Sequence, residues 1–323
     1  MKPAFLFFCL LTSVSCLLGA IDGTVTNGTT GKPQPSVTVT LVHPGAGGMQ
    51  TLGSAQSDAE GKFAIDKEVP GPPALLQATY QDVTYNSVLP PGSPTSGVQL
   101  SVYDSTNRMP ANVEQQHLLI LEPDSNKLKV SETILVENKA NETFNDPAKG
   151  SLQLFIPQGT NTEVSVTAPG GMPIRRAPQK TAQADVFKID YPLKPGETQF
   201  ELSYTRPDAK KFSGKAVGKD PLRLVTANSV TLSGDGLKDL GTEPRTQAHI
   251  YEVAPGASYE VSIQGTGVLE TGQAQNQDSG DDSGSPKVHP GMARVYDRLY
   301  WVLGLAFGIL ALGGALLYRK GAA

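Results

Sequence analysis

The sequence predicts an all-β protein: two antiparallel β-sandwich domains, or three if the second region is doubled, followed by one C-terminal transmembrane helix. Three observations lead there. The 323 residues include 34 glycines and 25 prolines, a density of chain breakers that suits many short strands joined by tight turns. Apolar and polar residues alternate with period two, as in Val37-Thr38-Val39-Thr40-Leu41, the pattern of a half-buried strand. From Leu299 to Tyr318, LYWVLGLAFGILALGGALLY carries no charge over 20 residues, which at about 1.5 Å per residue crosses a hydrocarbon core of about 30 Å.

Residues 1–20 have the order of a secretory signal peptide: Lys2, an apolar stretch from Phe5 to Val14, and the small residue Ala20 before a cleavage point at Ile21. Leu18 stands where a small residue is preferred, and an uncleaved first anchor helix is the alternative. Both cysteines, Cys9 and Cys16, fall inside this stretch, so a processed chain has no disulfide, thiolate ligand or cysteine nucleophile. A lipid-modified Cys16 is the other reading, although Ser13-Val14-Ser15 lacks the usual leucine. At the C-terminal helix, Tyr300, Trp301 and Tyr318 sit at the two ends, where amphipathic rings favour the interface. Arg319 and Lys320 follow in the 319–323 tail and are expected to stay cytoplasmic. No LPxTG-like sorting motif precedes the helix. The signal and the helix together place the N-terminus outside, in an extracellular or periplasmic ectodomain. Segment 21–298 holds all 31 acidic and 24 of the 27 basic residues, a net charge of −7 that gives nucleic acid no electrostatic invitation. Gly304 and Gly308 form a small-residue spacing open to helix pairing.

The ectodomain divides near Asn107–Pro110. In residues 21–104, IDGTVTNGTTGKPQPSVTVTLV and then SDAEGKFAI resemble the carboxypeptidase regulatory-like domain, a transthyretin-type β-sandwich grouped with carbohydrate-binding-like folds. Gly23, Val25, Gly31, Pro33, Val37, Val39 and Leu41 match its opening pattern; Ser57, Asp58, Gly61 and Phe63 match its second signature. The expected physics is turn and core: Asp58 caps a tight turn, Gly61 takes positive φ and Phe63 returns to the interior. The resemblance implies a fold and carries no catalytic or ligand residue with it.

Region 113–264 repeats strand-like runs: QHLLILEP, KLKVSETILVEN, GSLQLFIP, TEVSVTAP, DVFKIDYP, TQFELSYTRP, LRLVTANSVTLS and SYEVSIQG. EPDSNK has the composition of a hairpin turn. EVAPGASYEVSI is similar to the closing hairpin of bacterial surface sandwiches. Segment 265–293 is polar and rich in Gly, Ser, Gln and Asp, a flexible linker rather than a calcium loop.

For chemistry, HExxH, GxSxG, Walker and GxGxxG motifs are missing, and His43, His117, His249 and His289 have no His or Cys at ligand spacing. The sequence therefore predicts a non-enzyme without cofactor or metal. Two binding signals remain. Arg206, Lys210, Lys211, Lys215, Lys219 and Arg223 make a basic loop in an acidic ectodomain, open to an anionic polysaccharide or headgroup. Tyr80 and Tyr85 in ATYQDVTYN lie five apart, on opposite faces of a regular strand, so at most one is a sugar-stacking platform and the other packs. Asn27 and Asn141 head N-x-T sequons. The expected function is a membrane-anchored binding or scaffold protein. Its expected partners are membrane lipid through one helix, together with an envelope polysaccharide or a membrane protein. An accessory subunit recruited through the helix and a motif-free hydrolase are the alternatives.

Overall fold

The computed structural model describes residues 21–45, 48–67, 73–160 and 162–269. The expected signal (1–20), the linker beyond residue 269, the membrane span (299–318) and the tail (319–323) lie outside the described residues. Every described residue belongs to one compact unit. Among the described residues the structure is all-β, with several antiparallel sheets and no helix long and apolar enough to cross a membrane.

The N-terminal part contains β1 (Ile21–Asn27), β2 (Lys32–Pro33), β3 (Thr38–Gly45), β4 (Gly48–Gln56), β5 (Lys62–Ile65), β6 (Ala74–Tyr80), β7 (Val83–Leu89) and β8 (Val98–Val102). One sheet has the order β4-β3-β6-β7. The other is built on β1, which pairs antiparallel with β2 and β5 and parallel with β8. Alternation sets the inside: Val37, Val39 and Leu41 are fully buried while Thr38 and Thr40 face away. They join Ile21, Val25, Phe63, Leu76 and Leu100 in one apolar cluster. Pro33 sits on a two-residue edge strand, where its missing N–H costs little.

The SDAEGKF turn is built as its residue types require. The Asp58 carboxylate accepts the Glu60 and Lys62 amides at 3.1 and 2.7 Å, and the Gly61 amide donates to the Asp58 carbonyl at 3.0 Å. Gly61 has φ +75° and Phe63 is buried. ATYQDVTYN, expected as one strand, is instead a hairpin with Tyr80 opposite Val83 and Ala78 opposite Tyr85. Gln81 and Asp82, at φ 46° and 61°, form the two-residue turn; aspartate tolerates this left-handed geometry, but Gln-Asp is not the Asn-Gly pair that marks it in sequence.

The remainder contains β9 (Ser105–Thr106), β10 (Val113–Pro123), β11 (Leu128–Asn138), β12 (Thr143–Phe144), β13 (Leu152–Phe155), β14 (Val164–Thr167), β15 (Ile174–Arg176), β16 (Gln179–Lys180), β17 (Val186–Ile189), β18 (Gly196–Arg206), β19 (Lys211–Lys215), β20 (Leu222–Thr226), β21 (Thr231–Ser233), β22 (Leu237–Thr242), β23 (His249–Val253) and β24 (Ser258–Gln264). Eight strands form one sheet in the order β15-β14-β18-β11-β10-β20-β23-β22. Two three-stranded sheets, β13-β17-β16 and β19-β24-β21, accompany it, and most of the buried apolar residues from Val113 to Ile263 make one cluster. EPDSNK is a hairpin turn, with the Asp124 amide on the Lys127 carbonyl at 2.8 Å.

Four details depart from the sequence expectations. The pairings are not all antiparallel: β1–β8, β9–β12 and β10–β20 run parallel, and the last of these stitches the halves of the eight-stranded sheet together. EVAPGASYEVSI is not a hairpin: β23 pairs with β20 and β22, β24 with β19 and β21, so the chain steps from one sheet to another at Gly256. The expected basic loop contains a strand, β19, because Phe212 and Gly214 point inward between Lys211 and Lys215. Residues 265–269, expected to begin the linker, are tied down by the Gly267 amide on the Pro123 carbonyl and the Leu269 amide on Glu122, both at 3.2 Å.

Candidate functional site

Because a strand alternates its side chains, the face of the eight-stranded sheet opposite the core carries Ser131 and Thr133 of β11, Glu201 and Ser203 of β18, and Ser165 of β14. Register puts three of these positions and Arg175 of β15 in one row across neighbouring strands: Thr133 pairs with Glu201, Glu201 with Ser165, and Ser165 with Arg175. With Thr162 and Glu163 they line an open groove of about 720 Å³. Its charges are already oriented: Arg175 reaches Glu163 at 3.3 Å, and the Gln199 amide donates to Glu201 at 2.7 Å. The Thr162 hydroxyl donates to the Ser203 carbonyl at 3.2 Å, which fixes one rim. The groove therefore offers hydroxyls that donate and accept, carboxylates that accept and a guanidinium that donates; none of its lining residues is aromatic. Sequence alternation marked these residues as outward-facing, but nothing local said that β14 lies beside β18.

The two tyrosines occupy different environments, and Tyr85 is the one that packs. Tyr85 is only 6% exposed, donates its hydroxyl to the Tyr103 carbonyl at 2.9 Å and accepts from the Thr143 hydroxyl at 2.8 Å. Burial pushes its phenol up to about 12. A ring enclosed in this way is no stacking platform. Tyr80 is half-buried and donates to the Asp104 carboxylate at 3.1 Å; burial and then this carboxylate raise its phenol. Of the basic residues, Lys211 and Lys215 lie on β19, with Lys211 facing Glu260 at 3.4 Å. Lys210 and Lys219 are exposed in the flanking turns, and Arg223 on β20 is paired in register with Glu252. With Arg206 at the end of β18, the positive charges are thus spread over three strands and the turns between them, and partly answered by carboxylates. Asn27 of the first sequon is buried, its amide bound to Gln34 and Asp104.

One polar pair escaped the sequence reading. His117 of β10 and Glu132 of β11 both point into the core, 5% and 3% exposed, with the imidazole Nε2 and Glu132 Oε1 2.5 Å apart. The other carboxylate oxygen has no partner. The Glu132 charge lies close enough to Tyr204 and Tyr259 to raise both phenols further, after burial has done most of it. Among the described residues no group of three or more His, Cys, Asp or Glu is placed to hold a metal ion.

No family model matches the chain, and no curated protein matches it. Solved structures with some likeness include an M1 zinc metallopeptidase from Deinococcus radiodurans at 14% identity and TM-score 0.25, over 48% of this chain and 42% of that one. Its E323A mutant bound to a Tyr-Ser-Ala substrate is similar at 17% identity and TM-score 0.24, over 47% and 42%. The aligned region thus spans well under half the length of these structures.

Proposed function

We propose that the chain is a membrane-anchored extracytoplasmic binding or scaffold protein, made of two β-sandwich regions displayed by a C-terminal helix, and that the groove on the eight-stranded sheet is its ligand face. The observation that carries this reading is the groove itself: an open channel of about 720 Å³ lined by Ser131, Thr133, Ser165 and Ser203 hydroxyls beside Glu163, Glu201 and Arg175. Such a surface suits an extended, hydroxyl-rich ligand, which it meets with many short hydrogen bonds. Envelope polysaccharide is the ligand class of that kind, and the resemblance of residues 21–104 to carbohydrate-binding-like folds supports it. No bond-breaking step is assigned to the groove.

The test uses detergent-solubilised full-length protein on insoluble cell-wall glycan. Retention is expected, and Thr133→Arg, which fills the groove from a half-buried position on the face opposite the core, is expected to abolish it while the protein stays folded. Loss of retention in Tyr80→Ala, or in a variant with Lys210, Lys211, Lys215 and Lys219 changed to alanine, would move the site elsewhere. For the lysine patch, retention would also fade with salt, because exposed charges are screened beyond about 8 Å at physiological ionic strength. No retention at any salt would end the polysaccharide reading.

Topology has its own test. Protease added to intact spheroplasts is expected to digest 21–298 and leave a small fragment carrying the tail. Full protection would reverse the orientation, and release by alkaline carbonate would remove the spanning helix.

A further inference from the structure

The described residues form two separate apolar clusters, one within 21–102 and one within 113–263, and hydrogen bonds run between these parts. β9 and β12 pair over two residues. The Thr143 amide donates to the Asp104 carbonyl at 2.9 Å and the Asn145 amide to the Thr106 carbonyl at 2.8 Å. Thr143 also meets Tyr85, and the Thr29 hydroxyl donates to the Asn141 carbonyl. A joint with no shared apolar core separates more readily than one sealed by hydrophobic burial.

Lys194 stands at this joint and is only 7% exposed. Its ammonium donates to the Thr84 carbonyl on β7, across the joint, and lies 5.2 Å from the Tyr85 ring and 5.9 Å from the Tyr191 ring. Among the described residues it forms no salt bridge. The charged and titratable groups around the cage are Tyr103 and Asp104 behind Tyr85, and Arg176 over the far ring, Tyr191. A carbonyl and two ring faces replace only part of an ammonium's hydration.

We propose that the joint is a releasable latch, and that Lys194 makes it releasable: its charge is buried without a counter-ion when the joint is closed and regains water when it opens. Burial pushes the ammonium down to about 8, while the ring faces and the Thr84 carbonyl work the other way. The sign follows from linkage. An open joint exposes an ordinary lysine that holds its proton up to about pH 10.4, so the open form binds the proton more tightly than the closed one. Protonation therefore favours opening, and raising the pH favours closure across the window from about 8 to about 10.4.

The Thr143 and Asn145 amides, which bridge the joint, report its opening by hydrogen exchange in the full-length protein in detergent. Their protection, corrected for intrinsic exchange, is expected to rise roughly tenfold between about pH 7 and about pH 9. Lys194→Met keeps the stem and removes the charge; its protection is expected to be higher than wild type at pH 7 and flat with pH. The sheet amides of Leu224 and Tyr251 are the control. If they lose protection in the variant, it has unfolded, and the wild-type pH series alone decides. Wild-type protection that does not change with pH, or weaker protection in a folded Lys194→Met, would overturn the latch and make Lys194 a clamp that holds the joint shut.

Discussion

Glu132→Leu is expected to destabilise the protein by about 1–3 kcal/mol, the cost of leaving one member of a buried hydrogen-bonded pair without its partner. The lost free energy is not the worth of the pair. It is the penalty of a His117 imidazole that stays 5% exposed in the core with its Nε2 unsatisfied. The double variant His117→Leu with Glu132→Leu removes both polar groups and is expected to recover most of the loss, or to exceed wild type, because well-packed apolar groups often replace a buried pair at no net cost. Chemical denaturation followed by circular dichroism checks both. A double variant as unstable as the single one would mean that the pair holds Tyr204 and Tyr259 in place rather than being an isolated polar island.

Gly61→Ala is expected to cost about 3 kcal/mol or more, from two sources that a second substitution separates. At φ +75° an L side chain is strained, a cost of about 1–2 kcal/mol. In addition, a Cβ at residue 61 would stand 2.5 Å from the Val25 carbonyl oxygen, a backbone atom that moves only if β1 moves. Gly31 has a similar φ of +70° and open space around its Cβ position, so Gly31→Ala should show the strain alone. Hydrogen exchange of the β1 and β5 amides in the full-length protein reads the difference locally. Equal effects at the two positions would mean that the collision relaxes away.

Much of this fold was legible from residue patterns. Val37, Val39 and Leu41 were marked inward by alternation and are fully buried, and Asp58 and Gly61 were marked as a turn by their side-chain chemistry and make that turn. Each of those inferences needs only residues within a few positions of one another. The basic stretch was misread as a loop because its strand is five residues long, and its inward positions are Phe212 and a glycine, which leaves no apolar alternation to see. The Gln81–Asp82 turn was missed because its residue types are permissive rather than diagnostic for left-handed geometry.

By itself the sequence determined that this chain is built of short strands, where the first strands turn and which of their faces are buried, because period-two alternation and turn chemistry act over a few residues. Only the tertiary structure decided which strands lie side by side. Parallel pairing of β10 with β20 joins residues about a hundred positions apart, and pairing of β14 with β18 assembles the groove from Ser165 and Glu201. The same long-range closure put Lys194 against Thr84. These contacts depend on strand order and register, which are set by how the apolar faces fit together in space; no local pattern encodes that choice.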